Sequence, residues 1–333
     1  MASLYIASMS AAGGKTALCV GLGEKLKARG KRVGFLKPLI TLSEGTSVEG
    51  GDKDAEFMKQ TLVLEESLEV LCPASSAIKE GYAKVSKDKD VVLIEGTGDC
   101  REGSDSVQTA LQLVKDLAAK VVLIARYESD LEVDKIVALA RAFTDQLFGV
   151  VVNAVPELKM EHVNTSLVPA LEQQEIKVLG VLPEDRELLT ISVGELAECL
   201  EGNILNNSEH GDDLVESLMV GALSVDPAPS YLNLKENKAV ITRGDRPDIQ
   251  LAALEGSTKC LVLTNDIEPV PMILSRAQER EIPVVAVKTS TLSAMEAVED
   301  ILKKSRFHQE KKLKKLGELL DKHFDLETLY SAA

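Results

Sequence analysis

Ser8-Met9-Ser10-Ala11-Ala12-Gly13-Gly14-Lys15-Thr16 stands first among the segments whose residue types could do chemistry. Small residues let backbone N–H groups close around a phosphate, and the N-terminus of a following helix adds positive potential. Gly13 and Gly14 supply the tight backbone, Lys15 has the reach for β- and γ-phosphates, and the Thr16 hydroxyl suits Mg²⁺. The full phosphate-loop pattern wants Gly where Met9 stands, so the match rests on context: an apolar run before the loop and a helical pattern after it. The alternative is a Gly-rich turn capping a helix beside an unrelated lysine.

Further polar residues fall at the ends of apolar runs. Lys37, before Pro38, could neutralise a second anion or be an ordinary surface lysine. Asp52 and Asp54 precede a helical pattern, where they could cap the helix or hold Mg²⁺. Glu95 closes Val91-Val92-Leu93-Ile94 and is followed by Gly96-Thr97-Gly98. A carboxylate there is costly unless it has a metal, a base or a cation, and a metal site is the preferred reading. Asn153 follows Val150-Val151-Val152; its amide could read a base edge or merely bond a loop. His162, His210, His308 and His323 are scattered and suggest no metal or catalytic cluster.

These positions need elements that gather them at one edge. Residues 4–7, 32–36, 91–95, 120–125, 149–155 and 177–182 are short, nearly continuous runs rich in Val, Ile and Leu. Strands buried on both faces of a parallel sheet look like this. Helical patterns at 15–29, 55–64, 105–119, 132–145 and 157–174 lie between them. The alternation predicts a doubly wound α/β domain, which binds ligands at the carboxyl edge of its sheet.

A polar stretch with Asn206-Asn207-Ser208 marks the domain boundary, and a second α/β pattern follows. It reads as helix 213–223, strand 238–242, helix 247–254, strand 259–264, helix 271–281, strand 282–288 and helix 293–304. The organisation expected is a nucleotide-binding domain over 1–203, a smaller α/β domain over 204–308 and a helical tail over 309–333. The tail holds Lys311, Lys312, Lys314 and Lys315 and reads as an amphipathic helix with a solvated face. Asp245 and Arg246 fall at a strand-to-helix turn. Asp245 could cap the helix and Arg246 could bind an anionic effector, or both could serve an internal ion pair.

The chain has 333 residues and a net charge of −15, which argues against nucleic acid as a partner. Aromatics make up 3% with no Trp, too few for a base-stacking platform. No apolar run reaches the roughly 18 residues of a membrane span. The five cysteines have neither zinc nor disulfide spacing and read as buried, reduced thiols in a cytoplasmic protein.

Gly14-Lys15-Thr16, Lys37-Pro38, Asp54-Ala55, Glu95-Gly96, Asn153 and Leu182-Pro183-Glu184-Asp185-Arg186 together resemble a dethiobiotin-synthetase-like P-loop domain over about residues 1–200. The resemblance implies ATP across the loop, with Lys15, Thr16, Asp54 and Glu95 serving phosphate and Mg²⁺. It places Asn153 and Pro183 beside the adenine, Lys37 at a nascent carbamate or phosphate as a catalytic partner of Lys15, and Thr41 at a substrate hydroxyl. That family has polar residues where Ala11 and Ala12 stand, so nucleotide contacts are kept better than substrate contacts. Lys238 to Gln250, with Arg243-Gly244-Asp245-Arg246-Pro247 at its centre, resembles a DRTGG domain in which Pro and Asp replace part of the name-giving motif.

DRTGG domains are regulatory or ligand-sensing modules, and this domain order resembles the N-terminal region of long phosphate acetyltransferases. The resemblance runs to about residue 310, ahead of the acetyltransferase domain, so it does not imply acetyl transfer. Three functions follow. One is an ATP/Mg²⁺-binding regulatory protein with a small-molecule effector or a metabolic enzyme as partner. The second is an ATP-dependent enzyme that activates a carboxylate or carbamate or transfers a phosphoryl group. The third is an assembly module with a vestigial loop. Homodimer formation is implied by the P-loop family.

Overall fold

Runs of Val, Ile and Leu become strands covered on both faces, and the loops at their carboxyl ends carry the polar residues. The computed structural model describes residues 1–10, 12–39, 52–101, 103–128, 131–222, 228–303, 307 and 309–332. Ala11, Thr41 and His308 lie outside the described residues. The chain divides into two units, Met1–Asp185 with Arg306–Ala333, and Arg186–Ser305.

The first unit begins with β1 (Ala2–Ser8), α1 (Lys15–Ala28) and β2 (Val33–Leu36). It continues through α2 (Lys53–Leu62), α3 (Leu68–Leu71), α4 (Ile78–Val85), β3 (Val91–Glu95), α5 (Asp105–Asp116) and β4 (Lys120–Arg126). Then come α6 (Val133–Phe143), β5 (Leu147–Val155), α7 (Glu157–His162), α8 (Val168–Glu172) and β6 (Val178–Pro183). One π turn, Val163–Leu167, joins α7 to α8, so the single helix expected over 157–174 is interrupted. All six strands run parallel in the order β2-β3-β1-β4-β5-β6. From β1 the chain fills one side with β2 and β3, then returns to the other side at β4. The reversal lies at β1, where a doubly wound sheet opens a crevice at its carboxyl edge.

The second unit contains β7 (Ile191–Ser192), α9 (Val193–Cys199), β8 (Asn203–Asn206), β9 (Leu214–Val215) and β10 (Ser217–Val220). After these come α10 (Ala228–Leu232), β11 (Lys238–Arg243), α11 (Pro247–Glu255), β12 (Thr258–Thr264), α12 (Pro271–Glu279), β13 (Val284–Ala286) and α13 (Thr291–Lys303). Its five-stranded sheet has the order β10-β11-β12-β13-β8, parallel except for β8, which runs antiparallel to β13. Separate apolar clusters centred on Val193, Leu196 and Ile241 and on Ile249, Leu254 and Leu263 form its core.

Three expectations need correction. Of the helix expected over 213–223, the described residues 213–222 form none; β9 pairs with β7 and β10 pairs with β11. The first boundary falls at Asp185 rather than 203, because Ile191, Val193, Leu196 and Leu200 pack into the second unit's core and β8 joins its sheet. The helical tail expected over 309–333 is helical over its described residues, as α14 (Lys311–His323) and α15 (Leu326–Ala332), but it belongs to the first unit. Leu316, Leu319 and Leu320 of α14 are buried, and so is Lys312, which the solvated-face reading placed in water. Asp321 pairs with Lys25 of α1 at 2.6 Å.

Candidate functional site

The loop between β1 and α1 is shaped by its two glycines. Gly14 precedes α1 with φ 95°, in the left-handed region, and a Cβ there would stand 2.6 Å from Asn153 Nδ2. A Cβ on Gly13 would stand 1.7 Å from Ser8 Oγ, so neither position has room for a side chain. The Gly13 amide donates to the Ser10 carbonyl at 3.2 Å and closes the turn. On the other side the Cys100 amide donates to the Ser8 carbonyl at 2.7 Å, tying the loop after β3 to β1.

Lys15 and Thr16 open α1 and face the end of β3. Thr16 Oγ1 donates to Glu95 Oε1 at 2.9 Å, and Lys15 Nζ donates to the Gly98 carbonyl at 2.9 Å. Lys37 Nζ lies 3.6 Å from Glu95 Oε1 and 2.9 Å from Asp52 Oδ1, and it also pairs with Asp54. Asp52 caps α2 as well, accepting from the Ala55 amide at 3.0 Å. The expected site residues Lys15, Thr16, Lys37, Asp54 and Glu95 are therefore brought together, with Lys37 standing among the carboxylates.

Glu95 is only 3% exposed. Burial pushes its carboxyl up to about 7, against the pull of Lys37 and the Thr16 hydrogen bond, with Asp54 adding to the rise. Burial alone would lower the Lys37 ammonium, but Glu95, Asp54 and Asp52 together raise it, so it stays charged. Lys15 is lowered, chiefly by burial. Glu95 Oε2 is buried without a hydrogen-bond partner. Among the described residues no three His, Cys, Asp or Glu side chains form a cage for a metal. Mg²⁺ does not need one, since it is held by one or two carboxylates plus water and substrate phosphate. The orphaned Glu95 oxygen and the adjacent Thr16 hydroxyl fit that donor set.

Asn153 sits at the end of β5, and its Nδ2 donates to the Gly13 carbonyl at 2.8 Å. Of its two open roles, loop bonding is the one the geometry contains. The next residue, Ala154, has φ 56°, a left-handed backbone that costs a residue with a side chain about 1 kcal/mol or more. Arg126, absent from the residues singled out by sequence, ends β4 and donates from Nη1 to the Ala12 carbonyl at 2.8 Å. A lone arginine at the end of an apolar run gives no pattern that would have found it. Pro183 pairs with Val155 at the same carboxyl edge, three strands from β1. That is roughly 14 Å at the usual strand spacing.

In the second unit Asp245 and Arg246 each hydrogen-bond a different neighbour. Asp245 takes Arg243 through two hydrogen bonds of 2.9 and 2.6 Å. Arg246 Nε and Nη2 reach Asp248 at 3.0 and 2.8 Å. The hydrogen bond from Arg243 and its charge hold the Asp245 carboxyl below the ordinary range, and Arg246 does the same for Asp248. All five cysteines are free thiols; Cys199 is exposed and Cys72 half-buried, against the expectation that each is buried.

A family model for an AAA domain matches residues 2–191, and a model for a DRTGG domain matches residues 195–301. The phosphate acetyltransferase of Pseudomonas aeruginosa is 24% identical over 367 residues, covering 99% of this chain and 52% of that protein. The phosphate acetyltransferase of Pseudomonas putida is 25% identical over 362 residues, with 99% and 52% covered. The chain spans about half the length of these curated relatives. Among solved structures, the MinD cell division protein of Aquifex aeolicus is 17% identical with a TM-score of 0.37, covering 57% of this chain and 85% of that one. A likeness of that size decides nothing about activity.

Proposed function

This chain belongs to the AAA-domain P-loop family, with a DRTGG domain behind it as in the N-terminal region of phosphate acetyltransferases, and from that premise we propose that it binds ATP with Mg²⁺ and serves a regulatory role. The observation that carries the reading is the Thr16–Glu95 pair at the start of α1, with the second Glu95 oxygen buried and unpartnered. Gly13, Gly14 and Lys15 receive the phosphates, Thr16 and Glu95 hold the metal, and Asp54 joins them when Lys37 moves away. Mg²⁺ there neutralises phosphate charge. Pro183 flanks the base from the neighbouring strand end.

The second unit senses a separate small molecule, and the two ligands alter each other's affinity by linkage. An anionic effector at Arg246 takes the place of Asp248. The protein works in the cytoplasm, as a homodimer, with a metabolic enzyme or its metabolite as the partner. The retained Lys37 favours a second reading, an ATP-dependent enzyme acting on a carboxylate or carbamate. Its mark is ADP release that depends on one co-substrate.

Calorimetric titration of ATP and ADP with Mg²⁺ into wild type and Lys15→Ala tests the premise. The expected outcome is binding by wild type, weakened at least about tenfold in the variant through loss of a charge-assisted contact. Equal affinity in both proteins, or none in either, overturns it in favour of a vestigial loop.

A further inference from the structure

The inference rests on the nucleotide reading above and concerns what holds the loop in its binding shape. Arg126 and Asn153 are register partners on β4 and β5, and the Tyr127 amide donates to the Asn153 carbonyl at 2.8 Å. They therefore stand on one rigid base at the carboxyl edge. Both side chains turn to the loop: Arg126 to the Ala12 carbonyl and Asn153 to the Gly13 carbonyl, each at 2.8 Å.

The strand is bent to allow this. On its other side β5 pairs Val152 with Val181 and Val155 with Pro183, so it carries one residue more than β6 across that stretch. The extra residue is a bulge, and bulges re-aim side chains. Left-handed Ala154 sits in it, directly after Asn153. A strained residue with a side chain persists where the surroundings require it.

A trans peptide points its carbonyl and its N–H in opposite directions. Holding the Gly13 carbonyl toward β5 turns the Gly14 N–H to the far side, while the Gly13 N–H, on the peptide whose carbonyl meets Arg126, closes the turn onto the Ser10 carbonyl at 3.2 Å. Left-handed Gly14 stands at the mouth of α1, so its N–H and the first amides of the helix are the donors left for an anion.

We propose that Arg126 and Asn153 form a clamp that presets the phosphate loop for a polyphosphate chain, and that Asn153 does not read the base. The clamp acts on the part that ATP, GTP and inorganic tripolyphosphate share. Both are positioning residues: they touch the loop and act through it.

The test titrates each of those three ligands with Mg²⁺ into wild type, Arg126→Ala and Asn153→Ala, and follows amide hydrogen exchange over residues 12–16 in the free proteins. Each variant is expected to weaken all three ligands by one common factor, about tenfold, and to speed exchange of the loop amides. Asn153→Ala weakening ATP while leaving tripolyphosphate unchanged overturns the clamp and makes Asn153 a base reader. Unchanged binding and exchange in both variants also overturns it. If wild type binds none of the three, the nucleotide reading fails and exchange alone judges the clamp: faster loop exchange supports it, unchanged exchange refutes it. If Arg126→Ala does not fold, Asn153→Ala decides both readouts.

Discussion

Glu95 concentrates the electrostatic tension of the first unit. It ends a fully buried strand, shares one oxygen with Thr16 and Lys37, and leaves the other without a partner. Burial pushes its carboxyl up to about 7 in the folded chain, against an ordinary value of 4.5. A raised carboxyl means that between these values the folded state keeps a proton the unfolded state has lost. Stability therefore falls as pH rises through that window, by on the order of 3 kcal/mol, and levels off above it. Lys37 is shifted upward too, but its contribution is constant at any pH well below its unfolded value and does not blur the window. Urea unfolding of the ligand-free protein at pH 5 and pH 8 should show this loss in wild type and a much flatter profile in Glu95→Gln. Parallel profiles in the two proteins would mean that Glu95 is not held neutral by its surroundings.

At the scale of elements, the strap formed by α14 depends on one close approach to the edge strand β6. The Asp325 amide donates to the Leu179 carbonyl at 2.7 Å, and Phe324 forms an antiparallel bridge with Gly180. A Cβ on Gly180 would stand 2.5 Å from the His323 carbonyl oxygen and 3.1 Å from Phe324 Cα. Backbone cannot step aside as a side chain does, so Gly180→Ala should destabilise the protein by about 1–3 kcal/mol. Gly317→Ala is the comparison, since its Cβ meets only Lys25 side-chain atoms at 3.6 and 3.8 Å. There the gain in helix propensity should leave stability unchanged or higher. Equal losses in the two variants would refute the strap contact. The same contrast explains what could be read from sequence. The strand, loop and helix around Lys15 are local and were legible, as was the gathering of Lys37, Asp54 and Glu95 at one sheet edge. Leu214, Val215, Leu218, Met219 and Val220 fit helix and strand periods alike, and only pairing with β7 and β11 decides between them. Arg126 and the left-handed Ala154 owe their roles to tertiary register, which a residue pattern does not encode.

On the scale of the whole molecule, the chain begins and ends in the same unit. No described helix is long and apolar enough to cross a membrane. The second unit is therefore an insertion in the first, although the amphipathic pattern after residue 303 gives no hint of which unit it covers. Leu316, Leu319, Leu320 and Phe324 are buried. Full burial of each such side chain stabilises by about 1.5–3 kcal/mol, and their sum rivals the 5–15 kcal/mol that typically holds a domain together. Residues 1–203 produced alone should consequently aggregate or unfold at much lower denaturant. Asp185 already meets Lys315 of α14 at 3.2 Å. A flexible linker of about ten Gly and Ser residues, extending at most roughly 35 Å, can then join residue 185 to residue 307. That joined chain should unfold cooperatively, and residues 186–305 should fold as a separate piece. Urea denaturation of the three proteins is the measurement. If residues 1–203 alone match the joined chain in midpoint and slope, the returning helices are not part of the first unit's core.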